Sequence, residues 1–158
     1  MATALKNLSE YELKNSVKIE SKTFAIVVAE WNADVTEKLY EGAYTTLIKE
    51  GAKPENIIRK NVPGSFELSL GAQWMAARNE IDAVICLGCV IQGDTKHFDF
   101  ICQAVAQGIT NVSLKYSKPV IFGVLTPNTQ EQALDRAGGK HGNKGDEAAV
   151  TAIKMLGF

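Results

Sequence analysis

Apolar residues fall along the chain in two alternating rhythms: short unbroken runs, and longer stretches in which every third or fourth position is apolar. The runs at 23–29, 56–62, 83–91 and 120–125 are rich in Val and Ile and bounded by Asn, Gly or Pro, which predicts four strands. Between them the helical rhythm takes over. Val35, Leu39, Ala43 and Leu47 form an i, i+4 stripe, introduced by the capping-box pattern Asp34-Val35-Thr36-Glu37 and closed by Gly51. A second helix is predicted over 66–79. Phe98, Ile101, Cys102, Val105, Ile109 and Val112 mark a third, which the segment 116–119 stops. A short helix over 129–137, a glycine-rich break over 138–145 and a last helix over 146–156 complete the pattern.

Strand and helix alternating in this way predict an α/β domain of three layers, αβα, around a four-stranded parallel sheet. The first strand is apolar at every position from Phe24 to Ala29, as expected where helices cover both faces. The second carries Arg59, Lys60 and Asn61 and is therefore placed at an edge. Residues 1–20 show no comparable rhythm; they are expected to be an N-terminal arm packed on a neighbour or a frayed end, with the domain proper over 21–158.

Composition narrows the function. At 158 residues and 46% hydrophobic content, one core forms without disulfides or a structural metal, burying roughly 70% of the unfolded chain's surface. Seventeen Lys and Arg against eighteen Asp and Glu leave a net charge of −1 and no basic block, which argues against nucleic acid and membrane surfaces as partners. No apolar run approaches the roughly 18–20 residues that span a bilayer. The first twenty residues lack the apolar centre of a secretory signal. An odd cysteine count of three implies reduced thiols and a cytoplasmic setting.

In open parallel sheets ligands bind beyond the carboxyl ends of the strands, so the residues following each run are the candidates. These are Trp31 and Asn32 after the first, Ser65, Phe66 and Glu67 after the second, Asp94, Thr95 and His97 after the third, and Thr126 to Asn128 after the fourth. Gly93-Asp94-Thr95 leads into a helix whose free N–H groups suit a phosphate, or it is a plain helix cap. Imidazoles titrate near neutrality, which makes His97 the candidate proton carrier. Arg136, beside Lys140 and Lys144, offers the charge a phosphate needs. Trp31 and Phe122 fit either core packing or stacking on a flat ring. Cys86 and Cys89 form a C-x-x-C, but within a strand i and i+3 face opposite ways, so both are expected to be core. The glycine-rich segment lacks the Gly-Lys-Ser/Thr ending of a P-loop.

Five motifs in order resemble those of the 6,7-dimethyl-8-ribityllumazine synthase family: Trp31-Asn32; Val62-Pro63-Gly64-Ser65-Phe66-Glu67; Gly88-Cys89-Val90-Ile91-Gln92-Gly93-Asp94-Thr95-Lys96-His97-Phe98-Asp99; Phe122-Gly123-Val124-Leu125-Thr126; and Arg136-Ala137-Gly138 with Gly142-Asn143-Lys144-Gly145. The resemblance implies a flavodoxin-like strand order and the penultimate step of riboflavin biosynthesis. In that step 5-amino-6-(D-ribitylamino)uracil condenses with 3,4-dihydroxy-2-butanone 4-phosphate, releasing phosphate and water, with no metal or organic cofactor. It implies that Trp31 stacks on the pyrimidine and that Asn32, Ser65, Phe66 and Glu67 hold the aminouracil. Cys89, Val90 and Ile91 would line the ring site through their backbone, and Phe122 would reach it from an adjacent subunit. Asp94, Thr95, Arg136 and Lys144 would bind the phosphate, and His97 would shuttle protons.

The resemblance further implies pentamers, room for a shell of twelve pentamers because no insertion separates the last two helices, and association with riboflavin synthase. Two departures stand out: Ser69 where Pro is usual, and His141 as an extra imidazole in the glycine-rich segment. Two other readings fit parts of the pattern. A flavodoxin-like flavin or phosphometabolite binder explains Trp31 and Thr95 but not His97 or Arg136, and a phosphosugar isomerase or aldolase would want a further Lys or Glu near the substrate carbon.

Overall fold

The computed structural model describes residues 17–158; of the arm expected over 1–20, residues 1–16 lie outside the described residues. Val17 packs against the core and Ile19 is buried in it. The chain then runs β1 (Phe24–Ala29), α1 (Ala33–Lys49), β2 (Ile57–Val62), α2 (Leu68–Ala76), β3 (Ala83–Cys89), α3 (His97–Tyr116), β4 (Val120–Leu125), α4 (Gln130–Asp135), β5 (Ala137–Gly139), β6 (Gly142–Asn143) and α5 (Lys144–Met155). The four long strands form one parallel sheet in the order β2-β1-β3-β4, with Phe24 opposite both Ile57 and Ala83 and Val84 opposite Val120. This is the expected flavodoxin-like arrangement, and the polar strand β2 lies at an edge as expected.

Because successive strand residues face opposite ways, β1 splits its six apolar side chains between two cores. Phe24, Ile26 and Val28 pack with Leu39, Ala43 and Leu47 of α1 and Ala149 and Ile153 of α5. Ala25, Val27 and Ala29 pack with Ala72 and Met75 of α2 and Val105 and Ile109 of α3. Helices α1 and α5 thus cover one face and α2 and α3 the other. Cys86 and Cys89 fall into opposite cores, as their spacing predicts. Among the described residues no helix is long and apolar enough to cross a membrane.

Several boundaries differ from the sequence pattern, each for a local reason. Helix α1 starts one residue before Asp34, and its cap is Asn32 in a left-handed conformation (φ 62°, ψ 46°) with no side-chain capping bond. The Asn32 amide is committed elsewhere, donating to the Cys89 carbonyl at 2.9 Å. Strand β3 stops at Cys89 and not at Ile91, opposite Leu125, where its partner β4 also ends. The predicted helix over 66–79 is a 3-10 turn (Ser65–Glu67) followed by the shorter α2. The glycine-rich break is a small antiparallel hairpin, β5 with β6. After it, α5 begins two residues early because Asn143 caps it, its Oδ1 accepting from Gly145 N–H at 2.7 Å.

Helices α1 and α5 approach so closely at Gly145 that a methyl group there would collide with the Leu39 carbonyl. Gly145→Ala is expected to cost roughly 1–3 kcal/mol, the usual range for overpacking, read as a lowered urea midpoint; an unchanged midpoint would show that the two helices slide apart freely. The cores make a second prediction. Burial pushes the thiols of Cys86 and Cys89 up to about 12. Iodoacetamide at pH 8 should therefore leave both unmodified in the native protein and alkylate all three cysteines in urea, and rapid native labelling of Cys86 would contradict this packing.

Candidate active site

The carboxyl ends of β1, β2 and β3 open into a cavity of about 340 Å³. Trp31 and Asn32 line it from the end of β1, Gly64 to Glu67 from the turn after β2, Cys89 to Ile91 from the end of β3, and His97 and Ile101 from the first turns of α3. Residues separated by more than sixty positions in sequence thus share one hollow. The backbone tightens this rim past the strands: Trp31 N–H donates to the Pro63 carbonyl at 3.1 Å and Glu30 N–H to the Val62 carbonyl at 2.8 Å. The Asn32 amide bond to Cys89 ties the exit of β1 to that of β3. Asn, with a short polar side chain, tolerates the left-handed backbone that aims it there.

The lining has a definite chemical layout. Trp31 is 73% exposed, and Phe66 is also exposed, so large flat surfaces face the opening and not the core. Ser65 is buried, and its hydroxyl has no hydrogen-bond partner among the described residues. A buried polar group left unpaired is costly and is expected to be satisfied by what enters the cavity. Ser65 can sit there because residue 88 is glycine; a Cβ on Gly88 would come within 2.6 Å of the Ser65 hydroxyl. Glu67 adds a carboxylate acceptor and His97 an exposed imidazole at the start of α3.

Asp94 and Thr95 lie exposed in the turn just before α3, and the Thr95 hydroxyl sits 3.4 Å from the His97 N–H. They border the cavity without lining it. Among the described residues no Lys or Arg lines this cavity. Arg136 instead lines a second hollow of about 460 Å³ at the end of β4, with Leu125, Thr126, Pro127, Lys140 and His141. The two hollows share no residue. Between them run the exits of β3 and β4, joined by Val90 N–H to Leu125 carbonyl (2.8 Å) and Gln92 N–H to Pro127 carbonyl (3.0 Å). Phe122, in register with Cys86 on edge strand β4, is exposed and belongs to neither lining. Lys144 lies at the first turn of α5, bonded to the buried Glu147, which Arg136 also contacts.

Trp31, Asn32, Ser65, Phe66, Glu67, Cys89, Val90, Ile91 and His97 are therefore gathered at one cavity. Arg136, Lys144 and Phe122 are not gathered there within a single chain. Sequence reasoning did not single out Ile101 or Glu147; the i, i+3 pair of Lys144 with Glu147 is the signal that could have found the latter. Among the described residues no group of three or more His, Cys, Asp or Glu could hold a metal ion.

A family model for 6,7-dimethyl-8-ribityllumazine synthase matches residues 21–158. The chain belongs to that family. It is 66% identical over 158 residues to a 6,7-dimethyl-8-ribityllumazine synthase of Cytophaga hutchinsonii, covering 99% of this chain and 98% of that protein. It is 60% identical to the protein of the same name from Parabacteroides distasonis, covering 100% and 99%. For that from Flavobacterium johnsoniae the identity is 54%, covering 98% of this chain and 82% of the relative. Every cavity-lining residue lies inside the span that the lumazine synthase family model matches.

Asn32 is the latch of this rim and can be tested by its two contributions. Asn32→Ala loses the bond to Cys89 and forces a Cβ residue without local hydrogen bonding into the left-handed region, an expected loss of roughly 2–3 kcal/mol. Asn32→Gly loses only the bond and is expected to be about half as damaging. Equal urea midpoints for the two variants would show that the backbone conformation carries no cost.

Proposed function

We propose that the chain condenses 5-amino-6-(D-ribitylamino)uracil with 3,4-dihydroxy-2-butanone 4-phosphate to 6,7-dimethyl-8-ribityllumazine, releasing phosphate and water. The observation that carries this reading is the convergence of Trp31, Ser65, Glu67 and His97 on one cavity. The pyrimidine stacks on the indole of Trp31 with Phe66 beside it, while the backbone of Cys89, Val90 and Ile91 borders the ring edge. Ser65 supplies its unpaired hydroxyl to the aminouracil, and Glu67 accepts hydrogen bonds from the ribityl chain. His97 carries protons as the substrate amine adds to the butanone carbonyl, water departs and phosphate is expelled.

The phosphate requires cations that the first cavity lacks. The α3 N-terminus, with the Asp94 backbone and Thr95 hydroxyl, offers N–H donors and the positive end of a helix dipole. Arg136 supplies charge from the second hollow of a neighbouring copy, with Lys144 tied to it through Glu147, and the exposed Phe122 of that copy closes the ring site. Such a head-to-tail contact is heterologous and closes as a ring, here a pentamer, with a shell of twelve pentamers and a docked riboflavin synthase as its largest form. Exposed Trp74, Phe100 and Leu114, at 60%, 68% and 73%, support burial against other copies. A cytoplasmic location fits the reduced cysteines.

Mixing the two substrates with the protein should produce the absorbance of the lumazine; flavin binding without turnover would instead favour a binding module. His97→Ala is expected to lower turnover by roughly 10²–10⁴, the range for a lost general acid or base, and unchanged turnover would remove His97 from the mechanism. Arg136→Ala should raise KM for the phosphorylated substrate selectively. A selective loss of pyrimidine affinity would refute its assignment to phosphate.

A further inference from the structure

We infer that Glu147 is a positioning residue: it fastens Arg136 and Lys144 into a single two-point grip for the phosphate. This rests on the function proposed above. Glu147 is 2% exposed, in the first turn of α5. Its two oxygens divide the cations between them. Oε1 accepts from Arg136 Nη2 at 3.2 Å, and Oε2 accepts from Lys144 Nζ at 2.9 Å.

The backbone brings the two cations to this point from different elements. Arg136 ends α4, Lys144 opens α5, and the β5–β6 hairpin lies between them. Lys144 N–H donates to the Arg136 carbonyl at 2.9 Å, so the two residues face each other at the base of the hairpin. Two like charges held this close repel, and a shared anion removes the penalty. Stability alone does not account for the cluster, because burying an ion pair seldom yields a net gain over apolar packing. What the arrangement does provide is geometry. One guanidinium nitrogen and one ammonium proton are spent on Glu147, which fixes both heads. The triad keeps one surplus positive charge. Of the two cations Arg136 lines the second hollow, while Lys144 is held to it from outside that lining by the shared carboxylate.

The fully assembled enzyme carrying Glu147→Gln tests this. The amide keeps the shape but cannot accept from both cations at full charge. KM for the butanone phosphate and the inhibition constant of inorganic phosphate should both rise roughly tenfold to hundredfold, the equivalent of one charge-assisted hydrogen bond. KM for the aminouracil and turnover at saturation should stay within about threefold, a split that general loosening of α5 would not produce. Where Glu147→Gln fails to assemble, the pair Lys144→Gln with Glu147→Gln removes opposite charges together. Its phosphate constants should exceed those of Lys144→Gln alone, because Arg136 still loses its anchor. Phosphate constants that stay unchanged or tighten, or both KM values rising together as turnover falls, would overturn the inference. A wild-type chain that forms no lumazine would instead sink the proposed reaction, and inorganic phosphate binding by calorimetry would still report on the grip by itself.

Discussion

A parallel sheet covered by helices on both faces leaves no room for polar chemistry along its strands, and every other feature of this molecule follows from that constraint. The side chains of β1 are spent on two cores, and the free cysteines of β3 are buried in the same two cores, which pushes both thiols up. Reactive groups are left to the strand ends, where the chain turns and backbone donors and acceptors emerge. The rim is therefore where an indole, an unpaired hydroxyl, a carboxylate and an imidazole come together.

Holding that rim in place takes few but specific contacts. Asn32 adopts a backbone conformation few residues tolerate and uses its amide to close the gap between β1 and β3. Gly88 makes way for the turn that carries Ser65. On the other side of the β3 and β4 exits, a buried carboxylate gathers two cations around a hairpin. The molecule thus carries two unlike hollows, one lined by aromatic, hydroxyl, carboxylate and imidazole groups and one by Arg136, Lys140 and His141. A single copy does not join them.

Much of this is legible in the chain itself. The unbroken apolar run at 24–29, the polar second strand and the Val35 to Leu47 stripe define the sheet's centre, its edge and one covering helix, because burial on two faces, on one face or at an edge leaves different patterns. The family motifs mark the residues that line the cavity. Less visible were features that depend on competition between partners. Asp34 looks like part of a capping box, yet Asn32 takes the cap position while its side chain bonds across the sheet. The glycine-rich stretch reads as a break, yet it forms a hairpin whose last residue, Asn143, starts α5 early. The separation of Arg136 from the His97 cavity has no signature in a linear sequence, since spacing along the chain does not say which strand exits share a hollow.

In the proposed reaction the His97 rim and the Arg136 hollow that serve one substrate belong to different copies, and mixed assemblies test that directly. Chains carrying only His97→Ala and chains carrying only Arg136→Ala, dissociated and reassembled together, should regain far more activity than the sum of the two separate assemblies, because some contacts then join an intact His97 rim to an intact Arg136 hollow. Activity that remains at that sum, in assemblies shown to contain both chains, would contradict it.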